Sequence, residues 1–168
     1  MGMSTEPNDI QILAEKISGI RTAMLTTIDR DGVLRSRPMA TQEFDLDGRL
    51  WFFTKDHSAK VNSIQSDQHV NVAFTDDASK RWVSIAGRAR LVRDRKKMQE
   101  LWTPMLKVWF KDGIDDPELA LICVDVESAQ YWDSPSGPIM MLAGFAKQLL
   151  TGQALAPDQS EKKLDLRH

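Results

Sequence analysis

Ser58 and Lys60 open an amphipathic segment just after the apolar run Trp51-Phe52-Phe53-Thr54 and the polar turn Lys55-Asp56-His57. A strand that passes through a turn into a helix sets the helix N-terminus at the strand end. Unpaired N–H groups and partial positive charge there favour a bound phosphate. A serine hydroxyl and a lysine two residues on complete an anion clamp. Taken alone, Ser-x-Lys is also the pattern of an ordinary serine cap followed by a solvated lysine. The preceding strand adds a second signal. In Arg35-Ser36-Arg37-Pro38-Met39, period-two alternation puts Arg35, Arg37 and Met39 on one face and Ser36 and Pro38 on the other. Pro38 lacks the N–H a ladder needs, so it marks an edge or a bulge. Arginine beside closely approaching backbone suits bidentate phosphate contact, although a strand edge blunted by charge and proline reads the same way. Two anion-type signals one hairpin apart favour one shared ligand, with a phosphate at one end and a flat ring at the other.

Other residues able to do chemistry lack the partners for it. His57, His69 and His168 have no metal-ligand spacing, and one cysteine cannot supply it. No G-x-S-x-G elbow, P-loop or Rossmann glycine pattern occurs. Cys123, inside the apolar run Leu119 to Val124, reads as a small buried hydrophobe. Trp51 and Trp82 lie on strands and read as packing residues. Trp109-Phe110 and Tyr131-Trp132-Asp133 fall at element ends, where large aromatics stack on a planar cofactor, anchor an interface or fill core. The basic run from Arg88 to Lys97 reads as a solvated face rather than a nucleic-acid footprint.

The elements that must position these residues follow from periodicity. Ile10, Leu13, Ala14 and Ile17 predict a helix, with Asn8 or Asp9 as its cap and Gly19 at its end. Strands are expected at Thr22 to Ile28, Val33 to Phe44 and Arg49 to Thr54. The turns between them, Asp29 to Gly32 and Asp45 to Gly48, both finish in glycine. A short helix from Ser58 to Ser66 follows, then strands at His69 to Thr75 and Arg81 to Val92. Asp94 caps a helix that Pro104 interrupts, and a last strand spans Leu119 to Val126. Six closely spaced strands with helices at the ends and crossovers predict an antiparallel barrel with helical insertions. Residues 1–133 form that domain and 134–168 a C-terminal extension. The extension is expected to hold a helix from Ile139 to Leu150 and a tail poorly ordered unless docked on a partner.

Composition bounds the function. The 168 residues make one domain of ordinary size, and a net charge of −2 argues against large nonspecific affinity for nucleic acid or anionic membrane. The single cysteine makes a reducing cytoplasm the default compartment. No apolar run approaches the ~20 residues of a membrane helix, and the N-terminus shows no secretory signal pattern.

The order and spacing of Ser36-Arg37-Pro38-Met39, Trp51 to Thr54, Ser58-Ala59-Lys60, Gly87, Trp109-Phe110, Asp116-Pro117, Tyr131-Trp132-Asp133 and Gly144 to Lys147 resemble one family. It is the general stress protein 26 group of the pyridoxamine 5′-phosphate oxidase-like split barrels. The resemblance implies a mainly β (α+β) fold, a six-stranded antiparallel split β-barrel with flanking helices. It further implies a homodimer with FMN at the subunit interface. Carried over by position, Arg37, Pro38 and Met39 border the isoalloxazine and ribityl chain, and Phe53 and Thr54 line the groove. Ser58, Ala59 and Lys60 bind the phosphate, while Trp109 or Trp132 approaches the flavin edge from this subunit or its partner. The substrate-phosphate Arg-x-His pair of the true oxidase has no match, because Arg167 and His168 are adjacent and terminal. The expected function is FMN binding of the stress-response type, with flavin-dependent reduction by NAD(P)H as its activity. The alternatives are a flavin-binding or buffering module without turnover, or a barrel holding deazaflavin or haem.

Overall fold

The computed structural model describes residues 8–44, 46–133 and 162–166. Helix α1 (Asp9–Ile17) begins at a capping box: the Gln11 N–H donates to Asn8 Oδ1 at 2.9 Å and the Asn8 N–H donates to Gln11 Oε1 at 3.1 Å. Such a cap stabilises a helix by about 1 kcal/mol. The strands are β1 (Thr22–Ile28), β2 (Leu34–Ala40), β3 (Arg49–Lys55), β4 (His69–Asp76), β5 (Arg81–Val92) and β6 (Leu119–Asp133). Helix α2 (Ala59–Ser66) follows β3, and α3 (Arg95–Leu101), capped by Asp94, leads to a 3₁₀ turn at Pro104–Val108. No helix among the described residues is long and apolar enough to cross a membrane.

The strands pair antiparallel in the order β2-β1-β4-β5-β6-β3. β2 and β3 end this order and touch each other without forming a ladder. This is a split barrel, and the split runs between the two strands on which the candidate residues lie. Two lengths differ from expectation for a plain reason. β2 stops at Ala40 because its partner β1 begins at Thr22, the residue opposite it. β6 continues to Asp133 because β5 still offers Arg81 as a partner.

A further strand, β7 (Lys162–Asp165), pairs with β6 opposite Ser128 to Tyr131. The sequence predicts only a poorly ordered tail there. Leu164 and Leu166 alternate with charged residues and bury their side chains in the main core, which is the period-two signature of a half-buried strand. The Lys16 and Lys162 ammonium groups lie 5.2 and 5.6 Å from the Tyr131 ring centre, and both pair with Asp133. The expected helix at 139–150 lies outside the described residues.

Two cores share β3 and β6. Inside the barrel, Leu25, Phe52, Val72, Ile85, Ile122 and Val124 pack under Leu13 and Ile17 of α1. Outside it, Trp51, Phe53, Leu121 and Cys123 pack under Met98 and Leu106. β3 is therefore buried on both faces, which explains why Leu50 to Phe53 is continuously apolar rather than alternating. Cys123 is fully buried, and burial pushes its thiol up to about 11. Gly87 sits where the β5–β6 register shifts, and its missing Cβ admits the Asp125 carbonyl. Trp82, read as a packing residue, is instead more than one-third exposed.

The candidate functional site

A groove of about 250 Å³ occupies the split. Pro38, Met39 and Ala40 of β2 form one wall, and Phe53, Thr54 and Lys55 of β3 form the other. Ser58 and Lys60 close one end, while Leu106, Trp109 and Phe110 come from the 3₁₀ segment, and Thr22 completes the lining. Pro38 is exposed at this sheet edge, where a missing N–H costs no ladder bond. Phe53 is anchored behind the wall by edge-to-face contact with Trp102 at 5.5 Å and tilted contact with Phe110 at 6.2 Å.

Ser58 has the extended backbone of a helix cap, yet its hydroxyl makes no capping bond. It meets the buried Thr54 hydroxyl at 3.2 Å instead. The N-terminus of α2 is thus left without the side-chain acceptor that usually satisfies it. The turn carrying it is held from two sides. The Asp56 N–H donates to the Glu118 carbonyl at 2.8 Å, and Arg93 donates to both Asp56 carboxylate oxygens at 2.6 and 2.7 Å.

Lys60 is half-buried, and burial first, then the Arg37 charge, holds its ammonium below the ordinary lysine value. No described carboxylate pairs with it. Arg37 donates to Thr27 Oγ1 at 2.7 Å and to the Leu25 carbonyl at 3.4 Å, with no carboxylate partner among the described residues. Burial and then the neighbouring Arg35 lower its value as well. Lys60, in the first turn of α2, lies in the field of Arg37, and no carboxylate among the described residues balances either cation.

Seven of the ten residues expected from sequence line this groove: Pro38, Met39, Phe53, Thr54, Ser58, Lys60 and Trp109. Arg37 stands beside the lining and acts on it through Lys60. Ala59 is exposed and belongs to the first turn of α2. Trp132 is not in the groove of this chain. The continued β6 carries it opposite Trp82, in the next register position to Arg81 and Asp133. Sequence reasoning missed Thr22, Ala40, Lys55, Leu106 and Phe110 as lining residues, and Thr27 as the partner of Arg37. Phe110 was legible beside Trp109, but the Thr27 contact is visible only once β1 and β2 are in register.

The sequence profile described as pyridoxamine 5′-phosphate oxidase like matches residues 8–157. Protein bli-3 of Neurospora crassa is 31% identical over 154 residues, covering 86% of this chain and 74% of that protein. A solved structure assigned as a general stress protein 26, from Jannaschia sp. CCS1, shares the fold at a TM-score of 0.73 and 23% identity, over 90% of this chain and 94% of its own. The general stress FMN/FAD binding protein of Xanthomonas citri is 31% identical, with a TM-score of 0.64 over 75% of this chain and 89% of its own. With the split barrel and the profile match in agreement, the chain belongs to the pyridoxamine 5′-phosphate oxidase-like family.

Proposed function

We propose that the groove binds FMN and that the protein is a flavin-binding protein of the general stress type. The observation that carries this reading is Lys60, a half-buried cation in the field of a second cation beside an uncapped helix N-terminus. Burying like charges together is unfavourable, and a phosphate monoester removes that cost. The apolar walls at Met39, Phe53 and Phe110 suit a flat ring and exclude water from one side of it. The name of the Xanthomonas citri relative, an FMN/FAD binding protein, supports the same ligand class.

Bound FMN supplies hydride and electron transfer chemistry of its own. The chain's residues bind and orient it: Lys60 and Ser58 hold the phosphate end, while Trp109, 67% exposed, offers an aromatic face at the mouth. No His, Asp, Glu, Cys or Tyr is among the described residues lining the groove. Substrates whose oxidation needs a protein base are disfavoured, and so is a haem needing an imidazole or thiolate ligand. Reduction by a nicotinamide donor needs no such group. The same observation favours a second reading, flavin storage without turnover.

We assign the dimer partner to the groove side. Met105, Val108 and Trp109 are 69%, 76% and 67% exposed in one short segment beside it, an apolar surface that a second copy would cover.

The test is the absorbance spectrum of freshly purified protein, followed by anaerobic mixing. A flavin spectrum is expected, with released flavin migrating as FMN and slow bleaching by NAD(P)H. Bleaching by pyridoxine phosphate at turnover rates would contradict the assignment, and absence of bleaching by any donor selects the storage reading.

A further inference from the structure

Lys55 and Lys60 are the two charged residues among the described ones lining the groove, and the fold treats them oppositely. Lys60 has no described carboxylate partner. Lys55 is ion-paired to Asp116 and has Asp112 and Glu118 at 4.0 and 3.9 Å. Asp116 is the buried member of that group, with a side chain only 4% accessible, and it also accepts the Glu118 N–H at 2.9 Å. Its hydrogen bond is the main cause that raises Lys55 above the ordinary lysine value. Three carboxylates thus stand within 4.0 Å of the one Lys55 ammonium, and none of them is among the described residues lining the groove.

We propose that Asp116 is a specificity-determining residue of the groove, acting through Lys55. By holding the Lys55 ammonium, it leaves Lys60 as the one cation without a carboxylate partner among the described lining residues, and so selects a flavin monophosphate over a flavin dinucleotide. The proposal rests on the FMN reading above. A dinucleotide brings a second phosphate to a groove of about 250 Å³. A free lysine on that groove would meet it, because the ammonium is a compact charge on a flexible four-carbon stem. With Asp116 in place, the second phosphate meets a lysine already engaged by a buried carboxylate.

The experiment titrates the full-length protein with FMN and FAD by quenching of flavin fluorescence. The wild type is expected to bind FMN more tightly. In Asp116→Asn the FAD-to-FMN ratio of Kd values should fall at least about tenfold, the size of one new charge-assisted contact. Adding Lys55→Met to that variant should return the ratio to within about twofold of wild type, a reversal that a merely structural role for Asp116 would not produce. Where Asp116→Asn shows no cooperative thermal transition, the double variant Asp112→Asn/Glu118→Gln decides. Both its residues are exposed, and it should shift the ratio in the same direction by about two- to threefold, as surface pairs do. Wild type that binds FMN, together with an unchanged ratio in the deciding variant, overturns this proposal alone. Wild type that binds no flavin overturns the FMN reading and this proposal with it.

Discussion

Lys60 stands in the field of Arg37 with no carboxylate to balance either residue among those described. Arg37 is fixed by its hydrogen bond to Thr27, so the mismatch is built into the strand pair and not into a loose side chain. Lys60→Met is therefore expected to weaken FMN by roughly 10- to 100-fold, the range for a hydrogen bond to a charged group, and riboflavin by much less. It should leave the empty protein at least as stable as wild type, because it removes a half-buried charge. Parallel titrations and thermal melts check both halves; an equal loss for both ligands contradicts the assignment of Lys60 to the phosphate.

The same residue sets a pH dependence. Burial, and secondly Arg37, lower Lys60 below its ordinary value of 10.5. Between the lowered value and 10.5 the unfolded chain carries more protons, so stability of the empty protein contributed by this group rises with pH across that window. A bound phosphate favours the ammonium, so binding takes up protons in the same window, and FMN affinity falls as pH rises through it. Calorimetric titration in two buffers of different ionisation enthalpy measures the uptake. No proton uptake on the alkaline side would contradict the role given to Lys60.

Gly87 offers a test of the fold independent of any ligand. A Cβ there would overlap the Asp125 carbonyl and approach Val124 Cγ1 to 3.0 Å, at the point where the β5–β6 register shifts. The obstacle is backbone, which cannot rotate away. Gly87→Ala is expected to destabilise by about 1–3 kcal/mol, read as a lower midpoint in urea with unchanged slope. An unchanged midpoint would mean that the two strands do not approach as described.

Much of this was legible beforehand, for identifiable reasons. Pro38 marked a sheet edge because its chemistry forbids a ladder there, and the structure places it at the split. Ser58 marked a helix start, and α2 begins one residue later with Ser58 at its N-cap position. Long-range pairing was not legible. Trp132 was expected to follow the last strand, but β5 extends β6 through it and sets it opposite Trp82. The Lys55–Asp116 pair joins residues far apart in sequence, so no local pattern announces it. β7 was hidden by its short length and charge, although Leu164 and Leu166 kept the alternation.

The exposed side chains of Met105, Val108 and Trp109 lead to an expectation about assembly. Light scattering at micromolar concentration should give the mass of two chains, since obligate dimer interfaces commonly exceed ~2,000 Å² and resemble cores. Met105→Asp with Val108→Asp should shift the protein toward monomer. A wild-type monomer that holds FMN would count against the partner assignment.

The central claim, that the groove recognises the phosphate of FMN, is tested most directly by titrating wild-type protein with FMN and with riboflavin under identical conditions. The two ligands share the ring and ribityl chain and differ in the phosphate alone. The account predicts that FMN binds at least tenfold more tightly, as about 1.4 kcal/mol from one charge-assisted contact requires. Equal affinity for the two would contradict it.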